Sequence, residues 1–313
     1  MFSRGNIKVA LTFVGTLIGA GFASGREIEA FFGRANLLSP MLASLFCAGL
    51  AYVFLELGRL SQGNALLLAF PKTNKVWDYL ARFGSLVIFT AMLAGAEYVL
   101  NYAIGLRGGG IFAGLVALMC VSGGLNGIKK LNLIAVPVII LLVLVLFFLK
   151  PNFNAGGRTD LGSPVLYSSM NILTGGYLIS RMGAGVKKKD SFFISLIIFL
   201  ILALLMGLIY FAVRHSTHEM PTLEIAENHG LKYLGAVLIF LAIFTSMAGT
   251  LRVASAGNNY HAVLMLATSL GISGVGFANI VNYAYPVIGA VGAGMAVLCA
   301  IKLFSVKRKI RIK

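Results

Sequence analysis

The chain has 313 residues, 58% of them hydrophobic and only 12% charged, with a formal net charge of +16. Soluble domains carry about 25% charged residues, so this composition excludes a soluble protein and leaves an integral membrane protein. A hydrocarbon core of about 30 Å needs roughly 20 apolar residues per helix, which gives room for about ten passes and for no sizeable extramembrane domain.

Hydrophobic runs separated by charged or Gly/Pro punctuation predict ten spans. The first, 7–32, follows the short basic start MFSRGNIK. No small-residue cleavage site follows that start, so it reads as a retained helix rather than a leader. It is interrupted by GAGFASGRE, residues 19–27. The second span, 40–60, ends on Glu56 and Arg59, spaced as a local helix-surface pair. The third, 76–104, opens on Trp77 and Tyr79, which read as interface residues. Within it Glu97 is the most isolated carboxylate of the membrane region. Two readings of Glu97 are open: a proton carrier, or a partner of Arg26 or an outer-surface group. The turn LRGGG, 106–110, leads into the fourth span, 109–122, and the fifth covers 132–149.

The sixth span, 164–180, is polar and glycine-rich: SPVLYSSMNILTGGYLIS. The seventh is 191–213. The loop RHSTHEMPTLEIAENHG carries His215, His218 and His229, but HSTHE is not the HExxH that zinc catalysis uses. It reads as a solvated segment with a short amphipathic stretch, a lid over the external entrance. The eighth span, 231–250, contains LAIFTSMAGT. The ninth is 261–276 and the tenth 280–304, before the basic tail KLFSVKRKIRIK, a lipid-facing anchor. Cys47, Cys120 and Cys299 stand alone in apolar runs without CxxC spacing, and predict neither disulfides nor a metal site.

Threading the ten spans puts nineteen of the 26 Lys and Arg on the side of the termini and seven on the other. Basic residues favour cytoplasmic loops, so both termini are expected in the cytoplasm. The positive charge therefore reads as loop and headgroup basicity, and nucleic acid is not an expected partner.

Gly15, Gly19, Gly21 and Gly25 each cost a continuous helix about 0.8–1 kcal/mol relative to alanine. Two readings are open. The GxxxG spacing fits close helix packing. A broken helix would instead expose peptide groups to a cavity, which the adjacent Arg26, Glu27 and Glu29 favour. The interrupted sixth span predicts a partner break, as two five-helix repeats of inverted topology would produce.

GTLIGAGFASGREIEAFF, the Tyr-x-x-x-Asn of YSSMN, EMPTLEIA and NYAYPVIGAVG resemble the YkvI-type bacterial membrane proteins over nearly the full chain. That group is similar to branched-chain amino acid carriers and, more distantly, to the LeuT-fold amino acid/polyamine/organocation transporters. The resemblance implies an all-α membrane protein of about ten transmembrane helices, a LeuT-like 5+5 inverted repeat with discontinuous helices 1 and 6. It implies one transmembrane domain over 1–313, with halves near 7–150 and 164–304, in the bacterial inner (plasma) membrane.

The resemblance also implies a site. Sodium commonly lies between unwound first-span carbonyls and eighth-span hydroxyls in such carriers, here Gly15 and Ile18 with Thr245 and Ser246. The open alternative is that both hydroxyls bond their own helix. A substrate carboxylate would meet the amides between Ala20 and Ser24, with Gly19, Gly21 and Ala23 in the same stretch. Tyr167, Ser168, Asn171 and Thr174 would complete the pocket, and Asn171 and Thr174 also suit helix-to-helix bonding. Arg26 stands where such transporters carry an external gate arginine, and Glu27 beside it reads as neutralising it locally. The expected function is an ion-coupled symporter, sodium favoured, for a small amino-acid-like or carboxylate solute, working by alternating access without another cofactor. The rivals are a proton-coupled carrier using Glu97 and a non-transporting small-solute sensor. Nothing predicts an enzyme, and oligomeric state is not legible.

Overall fold

An apolar run in hydrocarbon can satisfy its peptide groups within the segment only as a helix, and the fold follows from that constraint. The computed structural model describes residues 4–149, 156–214, 216 and 218–312, with side chains through 308. Lys150, His215 and Lys313 lie outside the described residues.

Three short helices occupy the first predicted span: α1 (Arg4–Leu17), α2 (Ala20–Ala23) and α3 (Arg26–Phe32). The second is α4 (Leu38–Leu60). After the short α5 (Ala65–Ala69) come α6 (Asn74–Ile104), α7 (Gly109–Ser122), α8 (Gly124–Leu149) and α9 (Gly162–Gly183). Next follow α10 (Lys188–Val213), the loop helix α11 (Pro221–Asn228), α12 (Lys232–Ala254) and α13 (Asn259–Ile272). The tenth predicted span holds α14 (Phe277–Asn279), a π-helical turn (Ile280–Ala284) and α15 (Tyr285–Ile312).

Among the described residues six stretches are long and apolar enough to cross a membrane: α4, α6, α8, α10, α12 and Phe277–Arg308. Helices α7 and α13 have 14 residues each, about 21 Å at 1.5 Å per residue. The fifth predicted span begins earlier than its apolar run, because α8 starts at Gly124 and continues through Lys129 and Lys130. Lysines at a helix end extend their heads to water and need not stop the helix.

The sixth span corrects the expectation of a second broken helix. Helix α9 runs uninterrupted from Gly162 to Gly183. Its polar side chains bond its own backbone: Ser168 Oγ donates to the Val165 carbonyl at 3.1 Å, Asn171 Nδ2 to Tyr167 O at 3.0 Å, and Thr174 Oγ1 to Asn171 O at 3.1 Å. Its glycines are packing points. A Cβ on Gly175 would fall 3.0 Å from the Phe13 ring, and one on Gly176 3.0 Å from the Phe54 ring. Neighbouring helices press equally close: a Cβ on Gly58 of α4 or on Gly292 of α15 would stand 2.1 Å from the carbonyl oxygens of Ser180 and Ser169 respectively. Small residues let membrane helices approach backbone to backbone, and α9 is clamped between α4 and α15 in this way.

The ends of α4 define the two ends of the bundle. At its start, the segment before α9 is clipped on: the Asn36 amide donates to Arg158 O at 3.1 Å, and Ser39 Oγ to Asp160 O at 2.9 Å. Asp160 caps α9 through the Ser163 hydroxyl and the amides of Gly162 and Ser163. These bonds, the hydroxyl first, hold its carboxyl below the ordinary aspartate range. At the other end Glu56 is fully buried, which a local surface pair does not explain. Arg59 binds both its oxygens at 3.0 and 3.2 Å, Ser191 of α10 donates at 2.8 Å, and Lys307 of α15 lies 3.1 Å away. Lys307 also donates to Tyr52 OH at 2.7 Å. One carboxylate thus ties three helices together, and the tail expected to face lipid is anchored through it.

Candidate functional site

The first span breaks where the glycines are. Helix α1 ends at Leu17, and Gly19 is extended, with φ −99° and ψ −168°. Close approach explains the glycine: a Cβ there would come within 2.8 Å of Met92 Sδ and 3.1 Å of Ser246 Oγ. The Ala20 amide, freed from its helix, donates to Met92 Sδ at 3.1 Å. A second interruption follows α2, where Gly25 takes the left-handed conformation at φ 79° that side chains resist. The carbonyls exposed there are satisfied by α11: Thr222 Oγ1 donates to Ala23 O at 2.7 Å, and the Thr222 amide to Ser24 O at 3.0 Å. The predicted loop lid is a helix seated on the break.

Two hydroxyls of α12 meet this break. Ser246 Oγ donates to the Thr16 carbonyl at 3.1 Å, and Thr245 Oγ1 reaches the Ile18 carbonyl at 3.4 Å while also donating to Ala242 O at 2.9 Å. Of the two first-span carbonyls expected, that of Ile18 meets Thr245, whereas Ser246 meets Thr16 rather than Gly15. The Gly15 α-carbon packs on α8, where a Cβ would stand 2.5 Å from Asn132 Oδ1. Asn132 donates to Thr12 O at 3.2 Å, and its buried Oδ1 has no hydrogen-bond partner.

The amide cradle is partly occupied in this conformation, since Ala23 donates to Gly19 O at 3.0 Å and Ser24 to Ala20 O at 2.8 Å. The residues expected from α9 divide by face. Tyr167 reaches the first span, donating to Glu27 Oε2 at 3.4 Å. Ser168, one position on, is turned roughly 100° around the helix and lines an apolar groove with Leu45, Phe46 and Val297. It does not face the break. Asn171 and Thr174 are buried and spend their hydrogen bonds within α9.

The charged candidates separate likewise. Arg26 Nη2 donates to Asn282 Oδ1 at 3.3 Å, on the π-helical turn, and Nη1 to the His218 carbonyl at 3.5 Å. Glu27 does not neutralise Arg26: its carboxylate meets Tyr167 and is buried against Gly21, with 3% of the residue exposed. Glu97 makes no pair with Arg26. Its oxygens accept the amides of Gly108 and Gly110 at 2.9 Å each, because unsatisfied N–H groups at a helix start attract a carboxylate. The two described histidines of the loop are engaged: His218 Nε2 lies 2.9 Å from Glu224, and His229 Nδ1 2.8 Å from Ile225 O.

The break itself is closed, with Ile18, Ala20, Phe22, Ala23 and Ser24 all at 0% exposure. Cavities open at either end. One of about 690 Å³ is lined by Arg26, Glu29, Phe31, Arg34, Arg158 and Asp160 at the start of α4. One of about 150 Å³ is lined by Tyr177, Arg181, Arg252 and Gly257 at the far end of α9. Met92, Asn132, Thr222, Asn282 and Tyr285 were not foreseen as site residues. They reach the site from remote segments; EMPTLEIA, which holds Thr222, and NYAYPVIGAVG, which holds Asn282 and Tyr285, carried a sequence signal, and Met92 and Asn132 carried none.

No protein-family model matches the chain. It is similar to two proteins of Bacillus subtilis (strain 168). The uncharacterized protein YyaD is 25% identical over 92% of this chain and 94% of that protein. The uncharacterized membrane protein YkvI is 24% identical over 93% and 95%. The resemblance read from the four motifs therefore holds across the chain. Among solved structures, MhsT in complex with L-phenylalanine aligns with a TM-score of 0.66 at 17% identity, over 95% of this chain and 89% of that one. Mhp1, a nucleobase-cation-symport-1 family transporter in a closed conformation with bromovinylhydantoin bound, aligns with a TM-score of 0.62 at 13% identity, over 96% and 77%. The fold is all-helical and similar to that of LeuT-fold transporters, and the chain is a multi-pass membrane protein.

Proposed function

We propose that the chain is a secondary active transporter that couples sodium to movement of a small amino-acid-like solute by alternating access. Ten helical passes in two inverted five-helix halves would place both termini in the cytoplasm. The observation that carries the reading is the meeting of the broken first span with α12. The carbonyls of Thr16 and Ile18 and the hydroxyls of Thr245 and Ser246 gather four neutral oxygens in one buried place. A hard monovalent cation wants such a set, and unwound carbonyls supply it without added charge.

The solute would sit at the break, between Gly19–Ser24 and Tyr167. Support comes from the closed centre flanked by two cavities at opposite ends of the bundle. Arg26, held by Asn282 and His218 on the α11 side, would act as the gate over the larger cavity. The expected pair of broken helices is reduced to one, so the reading rests on the first span and α12 alone. Proton coupling through Glu97 loses its support, because both Glu97 oxygens are engaged as a cap.

Purified protein in liposomes, offered a pool of labelled amino acids, should accumulate at least one under an inward sodium gradient. The same ligand with sodium should raise thermal stability, by about 2.7 kcal/mol at 100 times Kd. Equal accumulation from potassium would remove the sodium assignment, and no accumulation of any pool member would remove the solute class.

A further inference from the structure

Of the ten acidic residues in the chain, Glu27 and Glu56 are the two that are buried. Their surroundings differ. Glu56 has the Arg59 guanidinium on both oxygens, Lys307 at 3.1 Å and the Ser191 hydroxyl at 2.8 Å. Among the described residues Glu27 has no ion pair. Its Oε2 receives the Tyr167 hydroxyl at 3.4 Å, and its Oε1 lies where a Cβ of residue 21 would be, packed on the Gly21 backbone. Tyr285, itself at 0% exposure, is close enough to interact electrostatically with Glu27, and its hydroxyl has no hydrogen-bond partner.

The other charged or titratable groups nearby are turned elsewhere. Arg26, next in the chain, is drawn to Asn282 and His218, and Glu29 lines the larger cavity. Arg214, just past the end of α10, lies over the Tyr210 ring, 5.4 Å from its centroid. Cys47 of α4 is a buried free thiol beyond Tyr167.

An uncompensated carboxylate inside the bilayer is costly, and intramembrane acids without a partner mark ion paths and proton relays. The cation that compensates Glu27 must fit between a peptide backbone and a tyrosine hydroxyl. A metal ion stripped of water needs several oxygen ligands, and the Glu27 carboxylate meets the Tyr167 hydroxyl alone among the described hydrogen bonds, whereas a proton bonds directly to a carboxyl oxygen and needs no further ligand. A route also exists. Phe31 lines the larger cavity, its ring packs edge-on against Tyr167 at 5.4 Å between centroids, and the Tyr167 hydroxyl touches Glu27. Cavity, Phe31, Tyr167 and carboxyl thus form one continuous series of contacts.

We propose that Glu27 is a proton-carrying site of this protein, loaded and unloaded from the Arg26-side cavity by movement of Tyr167 and Phe31. The carboxylate oxygen takes a proton from water when the two rings part and returns it to water when they part again. The purpose assigned to it, a pH-controlled or proton-linked step of transport, rests on the carrier reading; its chemistry does not.

The test is infrared spectroscopy of the purified protein across a pH series, in the absence of sodium and solute. Beside the bands of the exposed acids, wild type should show a titrating C=O band at the frequency of a buried carboxyl. Glu27→Gln should lose it, Glu97→Gln should keep it, and Glu27→Asp should shift it, which serves if the glutamine variant does not fold. In liposomes that accumulate an amino acid, Glu27→Gln should flatten the pH response of uptake. That buried-carboxyl band persisting in Glu27→Gln, or its absence from wild type, overturns the proposal. Failure of sodium-driven accumulation with the band intact would instead count against the carrier reading.

Discussion

Replacing Thr245 and Ser246 together by alanine is expected to abolish the sodium dependence of uptake while leaving a folded protein. Folding should survive because each hydroxyl lost removes one or two neutral hydrogen bonds, about 1 kcal/mol apiece. The functional loss is larger, since two of the four oxygens proposed for the ion disappear at once. Coupling between bound ligands is typically about 1–3 kcal/mol, or 5–150-fold in affinity, and the double variant should lose the whole factor. Thr245→Ser keeps the oxygen and should keep the dependence. Uptake ratios in sodium against potassium, measured on wild type and both variants, decide it. Undiminished sodium dependence in the double alanine variant would remove these residues from the ion site.

The second large effect is expected at Glu56. Glu56→Ala strips the shared counter-charge from Arg59 and Lys307 and unties α4, α10 and α15. Removing one partner of a buried pair costs about 3–5 kcal/mol. Here the loss should fall at the low end, because Arg59 and Lys307 side chains are 24% and 35% exposed and can regain water. Lys307→Met should cost far less, within the roughly 0–1 kcal/mol of part-exposed pairs, since Arg59 still holds both Glu56 oxygens. Temperature scans in detergent rank the variants, and protease sensitivity of α15 reports the lost anchor. Equal stability of Glu56→Ala and wild type would show that the cluster does not hold the helices together.

The first-span break was legible in GAGFASGRE because two independent signs coincide there: clustered glycines, and charges that hydrocarbon rejects. In SSMNILTGG those signs separate. Glycines and hydroxyls without charges serve close packing as readily as unwinding, and α9 uses Gly175 and Gly176 for packing while its polar groups bond their own carbonyls. Thr245 and Ser246 form too ordinary a dipeptide to be found by pattern, and the family resemblance supplied them. Met92 and Asn132 were out of reach, and Thr222 was marked only as part of EMPTLEIA, because nothing local in a chain shows which distant peptide group a side chain will meet. Glu97 and Glu56 exchanged significance for the same reason. The isolated carboxylate proved to be a helix cap, and the one with an arginine three residues away proved to join three helices.

The most direct measurement is an experimental structure of the protein in sodium, at a resolution that shows ions, beside one in choline. The account predicts density in the sodium structure coordinated by Thr16 O, Ile18 O, Thr245 Oγ1 and Ser246 Oγ, the two hydroxyls released from donating to those carbonyls. Hydroxyl-to-carbonyl bonds unchanged in sodium, with no density among the four oxygens, would contradict it.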